Sequence, residues 1–221
     1  MTTNPWDVRE AKKLESDPDA LYLSIGRALS EWERMEVLLS HYFAFFCGGR
    51  DNLSARRAYG SVIAFSGRSS MLKKAAEAHF HLNRGHKMEA TFLALTDRAD
   101  KFSPRRNEIA HGIVAVIGFK AEKAESDPTK RIEQLLRTQL WLLTPSEYAA
   151  NKHILTNATE PASVLDTFES DSASKRKYAY STVEIDHYAD QFTDLRADLW
   201  ALQFRWAEAH PEEAEDIIPP I

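Results

Sequence analysis

One short segment, residues 103–112, gathers side chains that can act on a phosphate group. Arg106, Asn107 and His111 lie within six positions of one another, and Arg105 precedes them. Histidine exchanges protons near neutral pH, whereas arginine stays charged and forks onto phosphate oxygens. The combination predicts phosphate chemistry that uses no metal ion and no other cofactor.

The spacing of these residues has a defined consequence on a helix, which turns about 100° per residue. Asn107 and His111 share a face, whereas Arg106 lies about 140° from His111 and must reach back along its long side chain. Ser103 and Pro104 predict a helix restart, with the motif in its first turns, where unbonded amides favour an anion. A continuous helix with a proline kink is the alternative.

The same side chains also have a purely structural interpretation. Asn107 and His111 can hydrogen-bond each other or the backbone, and Arg106 can pair with a carboxylate. Gly112 can serve simply as a helix stop. The motif alone does not choose between the two interpretations, so the elements around it matter.

Apolar residues at alternating steps of four and three predict two long amphipathic helices near the ends of the chain. The first spans 18–46 and ends at Gly48 and Gly49. The last is marked by apolar positions from Ile185 to Trp206. Such helices are good candidates to pack against each other in a bundle.

Shorter helical segments lie between them. One covers about 53–65 and is interrupted at 66–70, where Ser69 or Ser70 is predicted to cap the next helix. A fourth helix follows over about 88–102.

The pattern then changes to that of strands. Segments 114–119 and 138–144 predict two strands, with 152–156 and 177–181 as further candidates and a polar loop over 160–175. The sequence therefore predicts a mainly α protein: a single domain over 1–221, built as a helical bundle with a small β-rich insertion at about 114–181 before the last long helix.

Composition indicates a globular protein of the cytoplasm. The chain has 221 residues, a net charge of −5 and one cysteine, which excludes an internal disulfide. No apolar run approaches the roughly 20 residues of a membrane helix, and the first residues do not resemble a signal peptide. We therefore expect no membrane association.

The charge is unevenly distributed along the chain. Residues 50–106 hold 12 Lys and Arg against 5 Asp and Glu, so this part is basic within an acidic protein. A local positive field attracts nucleic acid, although the same charges can simply line solvated helix faces. The predicted RNA-binding residues are Arg56, Arg57, Arg68, Lys73, Lys74 and Arg105.

The run from Arg106 to His111, late in a series of helices and before a final amphipathic helix, resembles the Arg-x4–6-His motif of the HEPN superfamily. The resemblance covers roughly 18–113 and 183–209 and leaves the β-rich insertion outside. It implies a metal-independent ribonuclease of the kind found in toxin–antitoxin and antiviral systems. One subgroup carries a tyrosine two residues after the histidine, where this chain has Ile113, so regulation by modification of that tyrosine is not expected.

The resemblance also implies roles and partners. His111 would be the general acid/base, Arg106 would stabilise the charged phosphorane and Asn107 would position the phosphate or the histidine. RNA would be the substrate, and a homodimer would bring two motifs into one cleft. The alternative is a non-catalytic HEPN-like module that binds RNA, a nucleotide or a protein such as an antitoxin.

Overall fold

The computed structural model describes residues 18–49, 52–83, 85–117, 139–143 and 179–210. Helices account for most of these residues, so the prediction of a mainly α protein is confirmed. The helices are α1 (Pro18–Phe46), α2 (Leu53–Ser61), α3 (Phe65–Leu82), α4 (His86–His111) and α5 (Thr182–Ala209). The strands are β1 (Ile113–Ile117), β2 (Gln139–Leu143) and β3 (Ala179–Tyr180).

The chain divides into two compact units. The first, called the sheet unit here, takes in the described residues up to Leu29 and those from Asn107 to Tyr188. The second, the helical unit, takes in those from Ser30 to Arg106 and from Ala189 onward. The single domain and the status of 114–181 as an insertion remain predictions.

The helical unit is held together by a largely aromatic core. The indole of Trp32 meets the rings of Phe65 and Phe192 edge to face, with centroids 5.0 and 5.2 Å apart. Such pairs add stability beyond the area they bury. The hydroxyl of Tyr42 donates to the carbonyl of Leu199 at 2.7 Å, so this buried polar group is satisfied. Other core side chains come from all the long helices of the unit: Met35, Leu39, Leu72, Phe80, Phe92, Phe102, Leu195 and Trp206.

The sheet unit contains a three-stranded antiparallel sheet in the order β1-β2-β3. Ile113 pairs with Leu143, and Leu142 pairs with Tyr180. Leu142 and Tyr180 are almost fully buried. Strands are therefore present within the predicted segments 114–119, 138–144 and 177–181, and β1 begins one residue earlier than predicted, at Ile113.

A capping box starts α5. The backbone N–H of Ser181 donates to the Glu184 carboxylate at 2.7 Å, and the Glu184 N–H donates to the Ser181 hydroxyl at 3.4 Å. This Ser-x-x-Glu arrangement satisfies amides that have no partner within the helix. Burial raises the pKa of Glu184, while the hydrogen bonds that the Ser181 N–H and hydroxyl donate to its carboxylate act against that shift.

The two long helices lie where the periodicity placed them. Helix α1 has the predicted bounds, 18–46. It ends where Gly48 and Gly49 adopt φ values of 110° and 129°, a region that glycine enters without steric cost. Helix α5 includes every apolar position that marked the last predicted helix.

The prediction for the break between the second and third helices was wrong. Helix α2 ends at Ser61, and α3 begins at Phe65 rather than after a serine cap at Ser69 or Ser70. Extended backbone at Val62 and at Ala64 separates the two helices. Ser69 lies inside α3 and is buried, because the helix cap is at Ala64, five residues before Ser69.

The predicted helix restart at Ser103 was also wrong. Helix α4 runs without a break from His86 to His111 and carries Pro104 in its interior. Proline there removes one backbone hydrogen bond. Buried Phe102 and Ile109 on either side of it are consistent with packing that holds the helix together. The alternative of a continuous helix is the correct one, so the motif has no first-turn amides to offer an anion.

Several predictions fall on residues 1–17, 118–138, 144–178 and 211–221, which lie outside the described part. They include the candidate strand at 152–156 and the loop at 160–175. Among the helices that the structure describes, none has an apolar stretch long enough to cross a membrane.

Candidate functional site

The Arg106–His111 motif occupies the last turns of α4. The boundary between the two units falls directly after Arg106. Arg106 therefore belongs to the helical unit, whereas Asn107 and His111 belong to the sheet unit. Each side chain has a defined environment within its own unit.

Asn107 and His111 are exposed side chains one helical turn apart. His111 is the last residue of α4. Ile109 between them is 1% exposed and anchors this turn in the core. The histidine is thus accessible to a large ligand on a helix end that its apolar neighbour fixes in place.

Contacts with the sheet fix the position of that helix end. The hydroxyl of Tyr180 in β3 donates to the Glu108 carboxylate, one residue after Asn107. Gly112 directly follows His111, and a Cβ atom placed on it would lie 2.6 Å from side-chain atoms of Leu142 in β2. Leu142 is 1% exposed, so it has little room to yield. Gly112 is therefore needed for the close approach of β2, in addition to ending the helix.

Arg106 is paired with a carboxylate of α1. Its Nη2 lies 2.6 Å from Oε1 of Glu33, and the two side chains are 26% and 57% exposed. Arg105 beside it is half-buried. The pairing of Arg106 that the structural interpretation anticipated is present, at a position that solvent reaches.

The candidate RNA-binding residues differ widely in their surroundings. On α2, Arg57 is exposed and Arg56 is half-buried. On α3, Lys74 is exposed and forms a surface pair with Glu77 at 2.7 Å. These side chains, at the surface of the helical unit, are the ones best placed to meet a phosphate backbone.

Two other candidates are engaged inside the helical unit. Nη2 of Arg68 lies 2.9 Å from Oε1 of the buried Glu36. Nζ of Lys73 lies 2.5 Å from Asp97 and 2.7 Å from Asp100, both on α4. Burial alone would lower the pKa of Lys73, but the hydrogen bonds to the two aspartates outweigh it and raise that pKa. Lys73 therefore stays charged and links α3 to α4.

Glu36 is the centre of a buried polar cluster in the helical unit. Its Oε1 accepts from the indole Nε1 of Trp32 at 2.8 Å as well as from Arg68. Burial raises the pKa of Glu36, while Trp32 and Arg68 act to lower it. The guanidinium carbon of Arg68 lies 5.9 Å from the centre of the Tyr59 ring. Burial also raises the pKa of the Tyr59 hydroxyl, which stays protonated.

Sequence reasoning missed both glutamates that hold the basic residues. Glu33 lies 73 positions from Arg106 and Glu36 lies 32 positions from Arg68. Glu36 carried a signal, because it falls on the apolar stripe of α1 beside Met35. Glu33 falls on the polar face, where no pattern in the sequence distinguishes it.

The side chains of the candidate site that can act chemically are the imidazole of His111, as an acid or base, and the guanidinium of Arg106. No group of three His, Cys, Asp or Glu side chains within the described ranges is placed to hold a metal ion.

No protein-family model matches the chain. No curated protein and no solved structure matches it either. The HEPN resemblance therefore rests on the motif and on the order of the helices, and it remains a prediction.

Proposed function

We propose that the protein is a metal-independent endoribonuclease of HEPN type that acts as a homodimer. The observation that carries the proposal is the exposure of His111 and Asn107, one turn apart at the end of α4. A histidine kept only for structure is expected to be buried and hydrogen-bonded. An exposed histidine beside an exposed amide is available to a large substrate.

The proposed reaction is attack of a ribose 2′-hydroxyl on the adjacent phosphorus. The attacking oxygen loses its proton to a base, the bond from phosphorus to the 5′-oxygen breaks, and an acid protonates that oxygen. The products are a 2′,3′-cyclic phosphate and a free 5′-hydroxyl. His111 serves as base or acid, Asn107 positions the phosphate, and Arg106 stabilises charge on the pentacovalent phosphorus.

A dimer supplies both proton-transfer groups. One histidine cannot act as base and acid on opposite sides of phosphorus in the same step. A two-fold axis would bring a second His111 to the same phosphate. Light scattering at micromolar concentration is expected to give twice the chain mass of 25.1 kDa, and a strictly monomeric protein would remove the two-histidine mechanism.

The ion pair of Arg106 is compatible with this role. Glu33 is more than half exposed, and exposed ion pairs contribute only about 0–1 kcal/mol. A phosphate can accept two parallel hydrogen bonds from the guanidinium, as a carboxylate can. RNA can therefore compete with Glu33 for Arg106.

The second candidate is a non-catalytic module that binds RNA, a nucleotide or a protein such as an antitoxin. The observation that favours it is the engagement of Arg106 by Glu33, together with that of Arg68 and Lys73 by other carboxylates. In such a module these cations stabilise the fold, and only the exposed Arg57 and Lys74 contact a ligand. A toxin–antitoxin or antiviral setting belongs to the first candidate.

Incubation of the purified protein with total RNA in EDTA distinguishes the two. The ribonuclease is expected to produce fragments that end in a 2′,3′-cyclic phosphate, because the mechanism needs no metal. Arg106→Ala is expected to lower turnover, and Arg106→Lys to recover little, since a point charge does not fork across two oxygens. Absence of any cleavage, with RNA binding retained, would favour the module.

A further inference from the structure

An open pocket of about 450 Å³ lies between α3 and α4 of the helical unit. Its volume falls within the roughly 300–1,000 Å³ of small-molecule sites. Four serines line it, together with one lysine and one aspartate: Ser66, Ser69, Ser70, Ser103, Lys73 and Asp100. Hydroxyl groups thus dominate the polar surface of the pocket.

Ser69 is the least expected of these residues. It is 2% exposed, and its Oγ has no hydrogen-bond partner among the residues that the structure describes. Leaving a buried hydroxyl unpaired costs about 1–3 kcal/mol, whereas alanine in the same helix would cost nothing. A serine at this position is accounted for if something that enters the pocket completes its hydrogen bonds.

The charges at the pocket do not suit a phosphate. Lys73 is already shared between Asp97 and Asp100, so the three groups together carry one net negative charge. That field repels a free anion. It suits a neutral ligand with hydroxyls, because Lys73 can donate a hydrogen bond to a hydroxyl oxygen and Asp100 can accept a hydrogen bond from the hydroxyl O–H.

We propose that this pocket binds the ribose of a ribonucleoside unit, with any attached phosphate outside the pocket, and reads its 2′-hydroxyl. A 2′-hydroxyl is both a donor and an acceptor, which is what distinguishes RNA from DNA at a protein surface. Phe65 and Pro104 supply apolar atoms on the pocket wall for the carbon face of the sugar. The inference rests on the proposed function only in taking an RNA strand, rather than a free ribonucleoside, as the source of the ribose.

Titration calorimetry with matched ligands tests the proposal in the full chain carrying His111→Ala, which prevents cleavage. The probes are a uridine decamer, its 2′-deoxy counterpart, free uridine and free 2′-deoxyuridine. One net hydrogen bond corresponds to about a fivefold difference in affinity, so the ribose form of a bound probe is expected to bind about fivefold more tightly. Equal affinity for both sugars would overturn the proposal.

Two double variants assign the discrimination to the pocket. Ser69→Ala with Ser103→Ala is expected to bring the ribose preference close to one while the melting temperature is kept. Ser54→Ala with Ser61→Ala, on exposed positions of α2, is expected to retain it. A preference that survives the pocket variant would also overturn the proposal.

The binding measurements distinguish the two ligand sources, and together with the cleavage assay of the wild type in EDTA they distinguish the two proposals. A preference seen with the decamers supports an RNA strand as the source, and one seen only with the free nucleosides supports a free ribonucleoside. A wild-type protein that keeps the preference but cuts no RNA would refute the ribonuclease and leave the ribose site standing. Cleavage without any ribose preference in binding would do the reverse.

Discussion

Nη2 of Arg106 lies 2.6 Å from Oε1 of Glu33, which joins the arginine of the motif to the polar face of α1. This pair is the feature of the candidate site that sequence spacing could not indicate. In the absence of RNA, Arg106 is paired with Glu33, and a phosphate must displace this carboxylate. The strength of the pair is therefore one determinant of how readily Arg106 reaches a substrate.

Glu33→Gln is expected to increase RNA affinity about two- to fivefold, because it removes a carboxylate that competes with phosphate for Arg106. The size follows from the strength of the exposed ion pair, which is no more than about 1 kcal/mol. Filter binding at low salt measures the change. Asp194→Asn, an equal change of charge at an exposed position of α5, is the control. A similar gain in both variants would point to net charge alone rather than to release of Arg106.

The exposed cations are expected to carry the salt dependence of RNA binding. Arg57→Ala and Lys74→Ala should each reduce the slope of log affinity against log salt by about 0.7, the value for one phosphate contact on a single strand. Lys73→Ala should leave that slope unchanged, since Asp97 and Asp100 already neutralise Lys73. RNA affinity that does not depend on salt would exclude the basic surface as an RNA site.

Arg68→Met is expected to destabilise the helical unit in a pH-dependent way. It leaves the carboxylate of Glu36 buried without its cation, at a cost of about 3 kcal/mol, the low end for such pairs because Arg68 is 19% exposed. Burial already raises the pKa of Glu36, and Arg68 acts to lower it. The variant should therefore raise that pKa further.

The sign of the pH effect follows from that shift. When folding raises the pKa of a carboxyl group, its protonated form stabilises the folded state. This stabilisation is complete below the unfolded-state pKa of about 4.3, and it is lost as the pH rises through the folded-state pKa. Urea unfolding should show a larger cost of Arg68→Met at pH 7 than at pH 4. Glu36→Gln in the same chain should recover much of the loss, and Lys74→Met is the control on the same helix. A cost that is the same at both pH values would contradict this account.

Gly112→Ala is expected to reduce the free energy of unfolding by about 1–3 kcal/mol, because the added Cβ would meet the buried Leu142 side chain. Gly60→Ala is the matched control, since a Cβ on this α2 residue has nothing within 4 Å. That change should stabilise the protein by about 0.5–1 kcal/mol. Equal responses of the two variants in urea unfolding would show that Gly112 is only a helix stop.

The sequence predicted the parts of the fold that a repeating pattern determines. The bounds of α1 and the apolar face of α5 follow from alternating steps of four and three, because burial of one face selects that spacing directly. The strands were predicted from short runs rich in β-branched and other apolar residues. At α3 and at Pro104, by contrast, local signals for a serine cap and a proline restart were overridden by packing.

The environment of the candidate site was less accessible to prediction. The exposure of His111 was compatible with its spacing, but the Glu33 partner of Arg106 depends on which turn of α1 meets α4. The contact between Gly112 and Leu142 depends on the sheet that follows. Such pairings are tertiary, and no window of sequence contains both partners.

The most direct test of the ribonuclease is the removal of His111. RNA is incubated in EDTA with wild type, with His111→Ala and with His86→Ala, which removes an exposed histidine from the other end of α4. Loss of proton transfer should lower the cleavage rate by about two to four orders of magnitude in His111→Ala and leave it unchanged in His86→Ala. The melting temperature of His111→Ala should equal that of the wild type. The wild-type products should end in a 2′,3′-cyclic phosphate. Cleavage that persists undiminished in a folded His111→Ala protein, or that disappears from wild type in EDTA, would contradict the account.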